Sequence, residues 1–367
     1  MDKIAAIKDF QEVAWSRDNE AKVAELYQSL TIEEGKQLVT YALELLDRHL
    51  NDQAEGILLR LACLTPGALE GFHQELIQRQ VFYPGVIYRE ADPVSSEQLV
   101  NLVSDAQSDT NHLLLNHLLL ALAWIGDKAA QQAFNAWRKV VPEWALTLYV
   151  PPEAYAQEAG WALMSEGKRR DLFHAQCYPL VKAKSRADYP KNPAKVVDKY
   201  EGNCPWCNHQ LTTLFDLDLI HPQLRFLNID GTRIRIVTCE VCTCYGLIYT
   251  GVDWAGKAEW SDYNQKPDFL PDVMEYESLP AQRLVLSEYS RNPFSAAHQF
   301  VPISFSQVGG HPTWIQDSGY PICPCCKSLM SFIAQLDRGD IEEYGEGIYY
   351  AFLCQSCRIA CTSYQQS

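Results

Sequence analysis

Hydrophobic residues in the first half of the chain recur every three to four positions, as they do along one face of an α-helix. The pattern Thr31-Ile-Glu-Glu34 is typical of a capping box at a helix start, and Ser95-Ser-Glu-Gln98 is a second candidate. Residues 111–125 and 128–139 form the clearest pair, and the tight Gly126-Asp127 between them predicts an antiparallel helical hairpin. The first half is therefore predicted to consist of helices.

We assign this helical domain to residues 1–180. The hairpin at residues 111–139 resembles a HEAT-type repeat, and helix pairs of this kind stack into a solenoid with a concave surface. Because no strict period of about forty residues is visible, a compact helical bundle stays open as the alternative. We expect ten residues to pack inside the domain: Cys63, His112, Leu115, His117, Leu118, Leu119, Leu122, Ala129, Ala133 and Trp137. Cys177 is expected to be a buried thiol as well.

The pattern changes after residue 180. Residues 181–203 contain six basic residues and two prolines, which is typical of a solvated linker. Farther on, residues 232–238 and 347–353 alternate polar and apolar positions as strands do, and each run leads into a cysteine. Residues 266–300 contain four prolines and little periodicity, so we predict a crossing connection there, with one short helix near Leu284.

A cysteine motif occurs twice in the second half of the chain. Each copy has two Cys-x-x-Cys pairs, and a tyrosine follows seven residues after the last cysteine. Repetition of this kind predicts two related, mostly β lobes, which we place at residues 204–265 and 301–367. The copies read Cys204-Pro-Trp-Cys207, Cys239-Glu-Val-Cys242 and Tyr249, then Cys323-Pro-Cys-Cys326, Cys354-Gln-Ser-Cys357 and Tyr364. The predicted fold class is thus α+β and multidomain, with a HEAT-like helical domain before two lobes that each contain a zinc-ribbon-like site.

The spacing of these cysteines has a geometric meaning. Two Cys-x-x-Cys turns can present four thiolates to one ion in a tetrahedron, and a zinc ion held by four sulfurs has no open coordination position. We therefore expect two structural zinc sites and no metal catalysis. The expected ligands are Cys204, Cys207, Cys239 and Cys242 in the first lobe, and Cys323, Cys326, Cys354 and Cys357 in the second. Cys244, Cys325 and Cys361 are left over. Any of them can replace an assigned ligand, and packing is the alternative role for all three.

Composition and charge narrow the choice of compartment and partner. The N-terminus resembles the start of an amphipathic helix rather than a secretion signal, and no apolar run reaches the length of about 18 residues expected of a membrane span. We therefore predict a cytoplasmic protein, where thirteen cysteines favour metal over disulfides. The formal net charge of −15 disfavours nucleic-acid binding and favours a basic protein partner, although charge for solubility alone is the alternative.

Familiar catalytic motifs are absent from the sequence. His-Glu-x-x-His, Gly-x-Ser-x-Gly and phosphate-cradling glycine-rich motifs do not occur. A deaminase would need Pro-Cys-x-x-Cys, but Pro324-Cys325 is followed at the required position by Ser328. The sequence therefore predicts a protein that is not an enzyme.

Several segments of the second half follow a common pattern of a Gly-Gly-x-Pro turn, a strand ending in Gln-x-Asp, and a Gly-x-x-Tyr-x-Phe strand. They are residues 309–316, 332–337 and 344–352, together with 204–218 and 226–231 in the first lobe. This combination resembles the YwqG-like family of bacterial proteins, a domain of unknown function, in its zinc-containing branch. The resemblance covers about residues 195–367 and implies a two-lobed, mostly β fold without an established reaction. Gly309-Gly310 would permit a turn with positive φ.

Three functions remain open from the sequence. The first is an immunity protein that binds and neutralises a bacterial toxin, because HEAT-like and YwqG-like proteins resemble those encoded beside toxin genes. The others are a zinc-ribbon adaptor or nucleic-acid-binding protein, and an enzyme with a site near Gln316, Gln335 and Asp337. The candidate partner-binding residues are Trp314, Gln316, Gln335, Asp337, Asp340, Glu342, Glu343 and Glu346. For the first three of them, packing within the lobe is the alternative role.

Overall fold

The computed structural model of the protein describes five stretches of the chain, which are residues 2–10, 17–184, 191–271, 284–301 and 303–366. The chain divides into two compact units. The first unit comprises residues 1–171 and 297–303, and the second comprises residues 172–296 and 304–367. The fold is thus mixed, with helices gathered in the first unit and strands in the second. In the described part of the chain, no helix is long and apolar enough to cross a membrane.

Eight α-helices follow one another in the described part of the first unit. They are α1 (Lys3–Phe10), α2 (Arg17–Gln28), α3 (Ile32–Asp47), α4 (Asn51–Leu64), α5 (His73–Gln78), α6 (Pro93–Ser104), α7 (His112–Ile125) and α8 (Lys128–Lys139). Short 3₁₀ helices lie at Gly85–Tyr88, Glu143–Thr147 and Pro152–Gln157. The hairpin of β1 (Trp161–Leu163) and β2 (Arg169–Asp171) ends the unit, so the helices stop well before the predicted boundary at residue 180. Stacking of the helices as a HEAT-type solenoid stays a prediction.

Capping side chains set the helix starts. The capping box predicted for α3 is confirmed, because Glu34 N donates to Thr31 Oγ1 at 3.2 Å and Thr31 N donates to Glu34 Oε2 at 2.7 Å. The second predicted capping box is wrong. Helix α6 begins earlier, with Asp92 as its N-cap and Pro93 at its first position, and Ser95 N donates to Asp92 Oδ1 at 2.9 Å.

The helix pair α7–α8 forms with the predicted bounds. Gly126 ends α7 in the left-handed region with φ 54°, and Asp127 then caps α8. The apolar stripe of α7 is buried as expected, whereas α8 buries Ala130 in place of the half-buried Ala129. His112 is exposed, contrary to the prediction that it packs in the core, because the first turn of α7 faces solvent on that side. The other buried residues of the two helices are Leu115, Leu118, Leu119, Ala121, Leu122, Ala123, Trp124, Ile125, Ala133, Phe134 and Trp137. The expected buried thiols Cys63 and Cys177 are confirmed.

The second unit contains an eight-stranded antiparallel sheet and a three-stranded one. Their strands are β3 (His174–Lys182), β4 (Ala194–Asn203), β5 (Gln210–Asp218), β6 (Arg233–Thr238), β7 (Ile248–Val252), β8 (Ala258–Trp260), β9 (Leu284–Leu286), β10 (Gln307–Gly310), β11 (Ser331–Asp337), β12 (Ile348–Cys354) and β13 (Ile359–Gln365). The large sheet has the order β8-β7-β13-β12-β11-β10-β3-β9, and the small sheet has the order β4-β5-β6. The two strands predicted before the cysteines are β6 and β12. A short helix, α9 (Arg338–Ile341), follows β11.

The predicted linker at residues 181–203 is wrong, because strand β4 occupies its second half. Strand β4 buries Ala194, Val196 and Val197, whereas the lysines of the segment lie toward solvent. The basic residues that indicated a linker therefore belong to the solvent side of a half-buried strand. Residues 185–190, with Arg186 and Pro190, lie outside the described residues.

The helix predicted near Leu284 is also wrong. Residues Leu284–Leu286 form strand β9, in which the two leucines are buried and the valine between them is half-buried. This alternation has the period of a strand. The rest of the predicted crossing falls partly on residues 272–283, which lie outside the described residues.

The two cysteine copies belong to one compact unit rather than to separate lobes. Strands β10–β13 of the second copy lie side by side in the large sheet, and β7 of the first copy pairs antiparallel with β13. In that pairing Ile248 faces Thr362, and these residues lie six and five positions after the last cysteine of their copies. The equivalent strands β7 and β13 of the two copies therefore pair in a nearly symmetric register.

Two glycines shape the edge of β10. Gly309 and Gly310 have φ of 73° and 70°, as the Gly-Gly pattern predicted. A Cβ atom on Gly309 would lie 2.2 Å from the Gln176 carbonyl oxygen of β3. Glycine is therefore required where β3 and β10 come together.

Candidate metal centres

The first cysteine cluster lies at the start of β5, the end of β6 and the start of a 3₁₀ helix. Cys204 and Cys207 lie in the turn before β5, Cys239 follows β6, and Cys242 begins a 3₁₀ helix. The four Sγ atoms all lie within 4.8 Å of one another. The Sγ atoms of Cys204 and Cys242 are 3.7 Å apart, and those of Cys207 and Cys239 are 3.4 Å apart. The sequence-predicted set is thus brought together at one point.

The second cluster repeats this arrangement. Cys323 and Cys326 precede β11, Cys354 ends β12, and Cys357 lies in the turn before β13. Their Sγ atoms also lie within 4.8 Å of one another, and those of Cys326 and Cys354 are 3.6 Å apart. All eight cysteines that the sequence singled out therefore fall into two sets of four.

Both opening turns have the same backbone. Asn208 N donates to the Cys204 carbonyl oxygen at 2.8 Å, and Lys327 N donates to the Cys323 carbonyl oxygen at 2.9 Å. Each donor residue is left-handed, with φ of 62° for Asn208 and 64° for Lys327. Sequence reasoning missed these two positions, although both directly follow the second cysteine of an opening pair.

The sulfur geometry fits a tetrahedral metal ion. Zinc–sulfur bonds of about 2.3 Å in a tetrahedron place neighbouring sulfurs roughly 3.8 Å apart, whereas a disulfide needs about 2.05 Å. The sulfur–sulfur separations of 3.4–3.7 Å are close to the first arrangement, and all the cysteines are free thiols. Two four-sulfur clusters capable of holding metal ions such as zinc are therefore present.

The electrostatics of the clusters also favour a cation. Hydrogen bonds from the thiols of Cys239 and Cys242 lower the pKa of Cys204 to about 2, and hydrogen bonding to Cys204 raises the pKa of Cys242. In the second cluster, the Ser328 backbone N–H lowers the pKa of Cys326 to about 6. One thiolate thus forms readily, but four at van der Waals distance need a positive ion between them.

The two clusters differ in their exposure to solvent. In the first, Cys204, Cys239 and Cys242 are buried and Cys207 is half-buried. In the second, Cys326 is exposed. A chelator or oxidant therefore reaches the second cluster more easily.

Polar contacts tie the first cluster to the second copy of the motif. The Thr238 and Thr362 hydroxyls are 2.7 Å apart in the core, and Tyr349 Oη donates to the Glu240 carbonyl oxygen at 3.2 Å. Glu240 itself is buried and accepts a hydrogen bond from Thr212 Oγ1. No spacing rule points to these residues from the sequence, because they come together only after the sheets form.

The three remaining cysteines stay outside both sets of four. Cys244 is exposed and its Sγ donates to the Glu240 carbonyl oxygen at 3.4 Å, and Cys361 is buried in β13. Cys325 is exposed inside the second opening turn, and hydrogen bonding to it raises the pKa of Cys357. Cys325 thus interacts with an assigned ligand through a hydrogen bond.

The candidate partner-binding residues Trp314, Gln316 and Gln335 do not share one exposed surface. Trp314 is 7% exposed and Gln335 is fully buried, whereas Gln316 is exposed. The Gln335 amide is fully engaged, because Oε1 accepts from Thr313 N at 2.8 Å while Nε2 donates to the Phe305 carbonyl oxygen and to Thr313 Oγ1. Gln335 therefore fixes a buried turn, as a strand residue facing the core must satisfy its polar atoms internally.

The acidic run after β11 is largely used within the fold. Asp337 caps α9 through Gly339 N, and Asp340 accepts from Ser306 N at 2.9 Å. Glu342 forms an ion pair with Arg338 at 2.7 Å. Of the acidic candidate partner-binding residues in this run, Glu343 and Glu346 are exposed to solvent.

Comparisons with known proteins add one relative. No family model matches the chain, and no solved structure matches it. The chain is 38% identical over 353 residues to a protein of Salmonella typhimurium (strain LT2), described as uncharacterized protein YpfL. The alignment covers 94% of this chain and 80% of that protein. The description of the relative names no ligand, reaction or partner.

Proposed function

The chain belongs to the same family as YpfL of Salmonella typhimurium, and we propose that it is a non-enzymatic binding protein with two structural zinc ions. The observation that carries this proposal is the pair of four-sulfur clusters at the junctions of the strands. Four thiolates fill the coordination of zinc, so each ion would fix the fold and leave no position for a substrate.

The donor set supports zinc over harder metals. Soft thiolates in a tetrahedron suit zinc and iron–sulfur centres, whereas magnesium and calcium take oxygen ligands. Each described cluster offers four sulfurs at tetrahedral separations. Free thiols, rather than disulfides, agree with the reducing cytoplasm that we propose as the location.

Charge supports a basic protein as the partner. The chain has 46 acidic and 31 basic residues, which gives a net charge of −15. Such a surface attracts a basic partner over a distance and repels nucleic-acid backbones. A HEAT-like stacking of the helices in the first unit is part of this proposal, because a concave helical surface would offer a large binding area.

The narrower form of the proposal is an immunity protein, in which the basic partner is a toxin domain made by the same or a neighbouring cell. It rests on the acidic charge and on the resemblance of the sequence to proteins encoded beside toxin genes. An immunity protein needs affinity and rigidity rather than catalysis, which is what two closed metal clusters would provide.

Co-expression tests this function. The chain is produced with the basic domain encoded by a neighbouring gene, and the mixture is analysed by size-exclusion chromatography at low and physiological salt. We expect one complex that persists at physiological salt, since a specific interface outlasts simple charge attraction. Hen lysozyme, a basic protein without a specific interface, is the control. Separate elution of chain and domain in both buffers would contradict the proposal.

A further inference from the structure

An apolar surface lies at the end of helix α8. Five large apolar side chains within eleven residues are exposed: Val140 by 77%, Val141 by 56%, Leu146 by 75%, Tyr149 completely and Val150 by 46%. Single exposed apolar residues are common, but a contiguous group of this kind marks an interaction site.

Buried tryptophans hold this surface in place. Trp144 is 3% exposed and packs edge-to-face against Trp137 with ring centroids 5.4 Å apart. Thr147 Oγ1 donates to the Trp144 carbonyl oxygen at 2.7 Å, which fixes the 3₁₀ helix Glu143–Thr147. Because Trp144 faces inward, Leu146 is turned toward solvent.

A groove of about 300 Å³ runs along this surface. Its apolar lining includes Trp137, Val141, Leu146, Leu148, Tyr149 and Val150. Glu153 lies in the same lining, and its Oε2 atom is buried without a hydrogen-bond partner among the described residues. The Glu153 side chain as a whole is half-buried, and a carboxylate in the wall of an apolar groove favours an incoming cation.

The guanidinium nearest to the groove is already engaged. Arg138 donates to the carbonyl oxygens of Leu163 at 3.0 Å and Met164 at 2.9 Å, and to Asn135 Oδ1 at 3.0 Å. Its side chain is therefore directed toward the β1–β2 hairpin and leaves Glu153 Oε2 unpaired.

We propose that this groove binds an apolar segment of a basic partner protein, with a lysine or arginine of that segment paired to Glu153. A second copy of the chain fits less well, because two chains with a net charge of −15 each repel one another. The proposal rests on the proposed function in one respect, namely that the natural ligand is a protein. The groove supplies the apolar contact area, and the carboxylate supplies the specificity.

A phage-displayed library of random linear peptides, selected on the full chain, tests this proposal. We expect the enriched peptides to combine apolar residues with a lysine or arginine. Fluorescein-labelled versions of the most enriched peptide would then be titrated by fluorescence anisotropy. Glu153→Gln should raise the Kd on the order of thirtyfold, because the peptide cation loses its partner. Replacing that peptide cation with norleucine should raise the Kd similarly for the wild type and have little effect for Glu153→Gln.

Matched variants separate the groove from general stickiness. Leu146→Ser and Tyr149→Ser should each weaken binding, whereas Val94→Ser and Leu113→Ser, at exposed apolar positions elsewhere in the first unit, should not. Equal Kd values for the wild type and Glu153→Gln, or no enrichment of peptides, would overturn the proposal. Sedimentation showing a dimer that Leu146→Ser abolishes would assign the groove to a second copy instead. The co-expression result is independent, so either proposal can fail alone.

Discussion

A half-buried imidazole in the first unit shows how a single residue couples the fold to pH. His298 has an ordinary pKa of 6.5, and burial lowers it to about 4. Its Nδ1 accepts a hydrogen bond from Phe300 N at 3.3 Å, which requires that nitrogen to be unprotonated. The folded state therefore holds the neutral form, whereas the unfolded chain gains a proton near pH 6.5.

His298→Asn is predicted to reduce the loss of stability in acid. As the pH falls from 6.5 to 4, His298 of the wild type is protonated in the unfolded chain before it is protonated in the folded one. The free energy of unfolding of the wild type therefore decreases. The variant should avoid about 2 kcal/mol of that decrease in the free energy of unfolding. The full shift in the pKa of His298 does not apply, because the side chain is partly exposed to solvent. Asparagine can still accept from Phe300 N. Urea unfolding of both proteins at several pH values measures the difference.

The exposed His112 supplies the control for this prediction. His112→Asn should leave the pH dependence of unfolding as it is in the wild type. Parallel curves for His298→Asn and the wild type between pH 6.5 and 4 would contradict the argument.

At the residue scale, the sequence predicted the metal clusters but not the burial of polar side chains. Cysteine has few roles at a Cys-x-x-Cys spacing, so all eight sulfurs were found from spacing alone. Gln335 and Asp340 were assigned to a binding surface, but the fold uses both for internal hydrogen bonds. A polar residue has the same identity on a surface and in a satisfied core, and only the tertiary contacts distinguish the two.

At the scale of the element, one aspartate serves two helices. Asp127 Oδ1 accepts from Ala130 N at 2.9 Å as the N-cap of α8, and it accepts from Ser96 Oγ of α6 at 2.8 Å. The cap thus satisfies a free backbone donor and also links two helices that are distant in sequence.

Asp127→Ala is predicted to lower the free energy of unfolding by about 2 kcal/mol, since both hydrogen bonds are lost. Asp127→Asn should retain most of the stability, because its side-chain oxygen still accepts. Asp109→Ala, at an exposed position outside the helices, is the control. Urea denaturation followed by far-ultraviolet circular dichroism measures all three variants. Equal stability of Asp127→Ala and the control would argue against a linking cap.

Element prediction succeeded where local signals decide the structure. Helices α3, α7 and α8 follow from capping residues and a left-handed glycine, and β6 and β12 follow from alternation. It failed for β4, which pairs with the neighbouring strand β5, and for β9, which pairs with β3 about a hundred residues earlier. A basic segment flanked by proline has no strand signal of its own, because its strand conformation depends on apolar residues that are buried only in the folded sheet.

At the scale of the whole molecule, the strand-rich unit contains both four-sulfur clusters and the helical unit contains neither, among the residues described. Each cluster joins turns that are about thirty residues apart in sequence, so a bound ion would close a long loop. Metal loss should therefore act on one unit only.

Chelation is predicted to unfold the strand-rich unit while the helices persist. Protein purified under reducing conditions should hold about two zinc ions, one per cluster. Adding EDTA should increase hydrogen exchange in β5–β7 and β11–β13 but leave α3–α8 protected, as mass spectrometry would measure. The second cluster should lose its metal first, because Cys326 is exposed. Uniform unfolding of both units, or a metal-free protein, would contradict this expectation.

Two serine variants assign the metal to the clusters. Cys326→Ser removes a sulfur of the second set and should reduce the zinc content to about one ion per chain. Cys325→Ser removes the neighbouring thiol that lies outside the set and should keep both ions. Equal zinc content in the two variants would mean that Cys325 acts as a ligand.

The pairing of β7 with β13 has a consequence for how such a chain can arise. A fragment with a single cysteine motif would leave the backbone amides and carbonyls of its last strand open at a sheet edge. Two identical fragments would close that edge by pairing with each other, in nearly the register that Ile248 and Thr362 now show. Joining two copies of the motif in one polypeptide thus lets β7 and β13 cover each other's open edge, as the last strands of two separate fragments would.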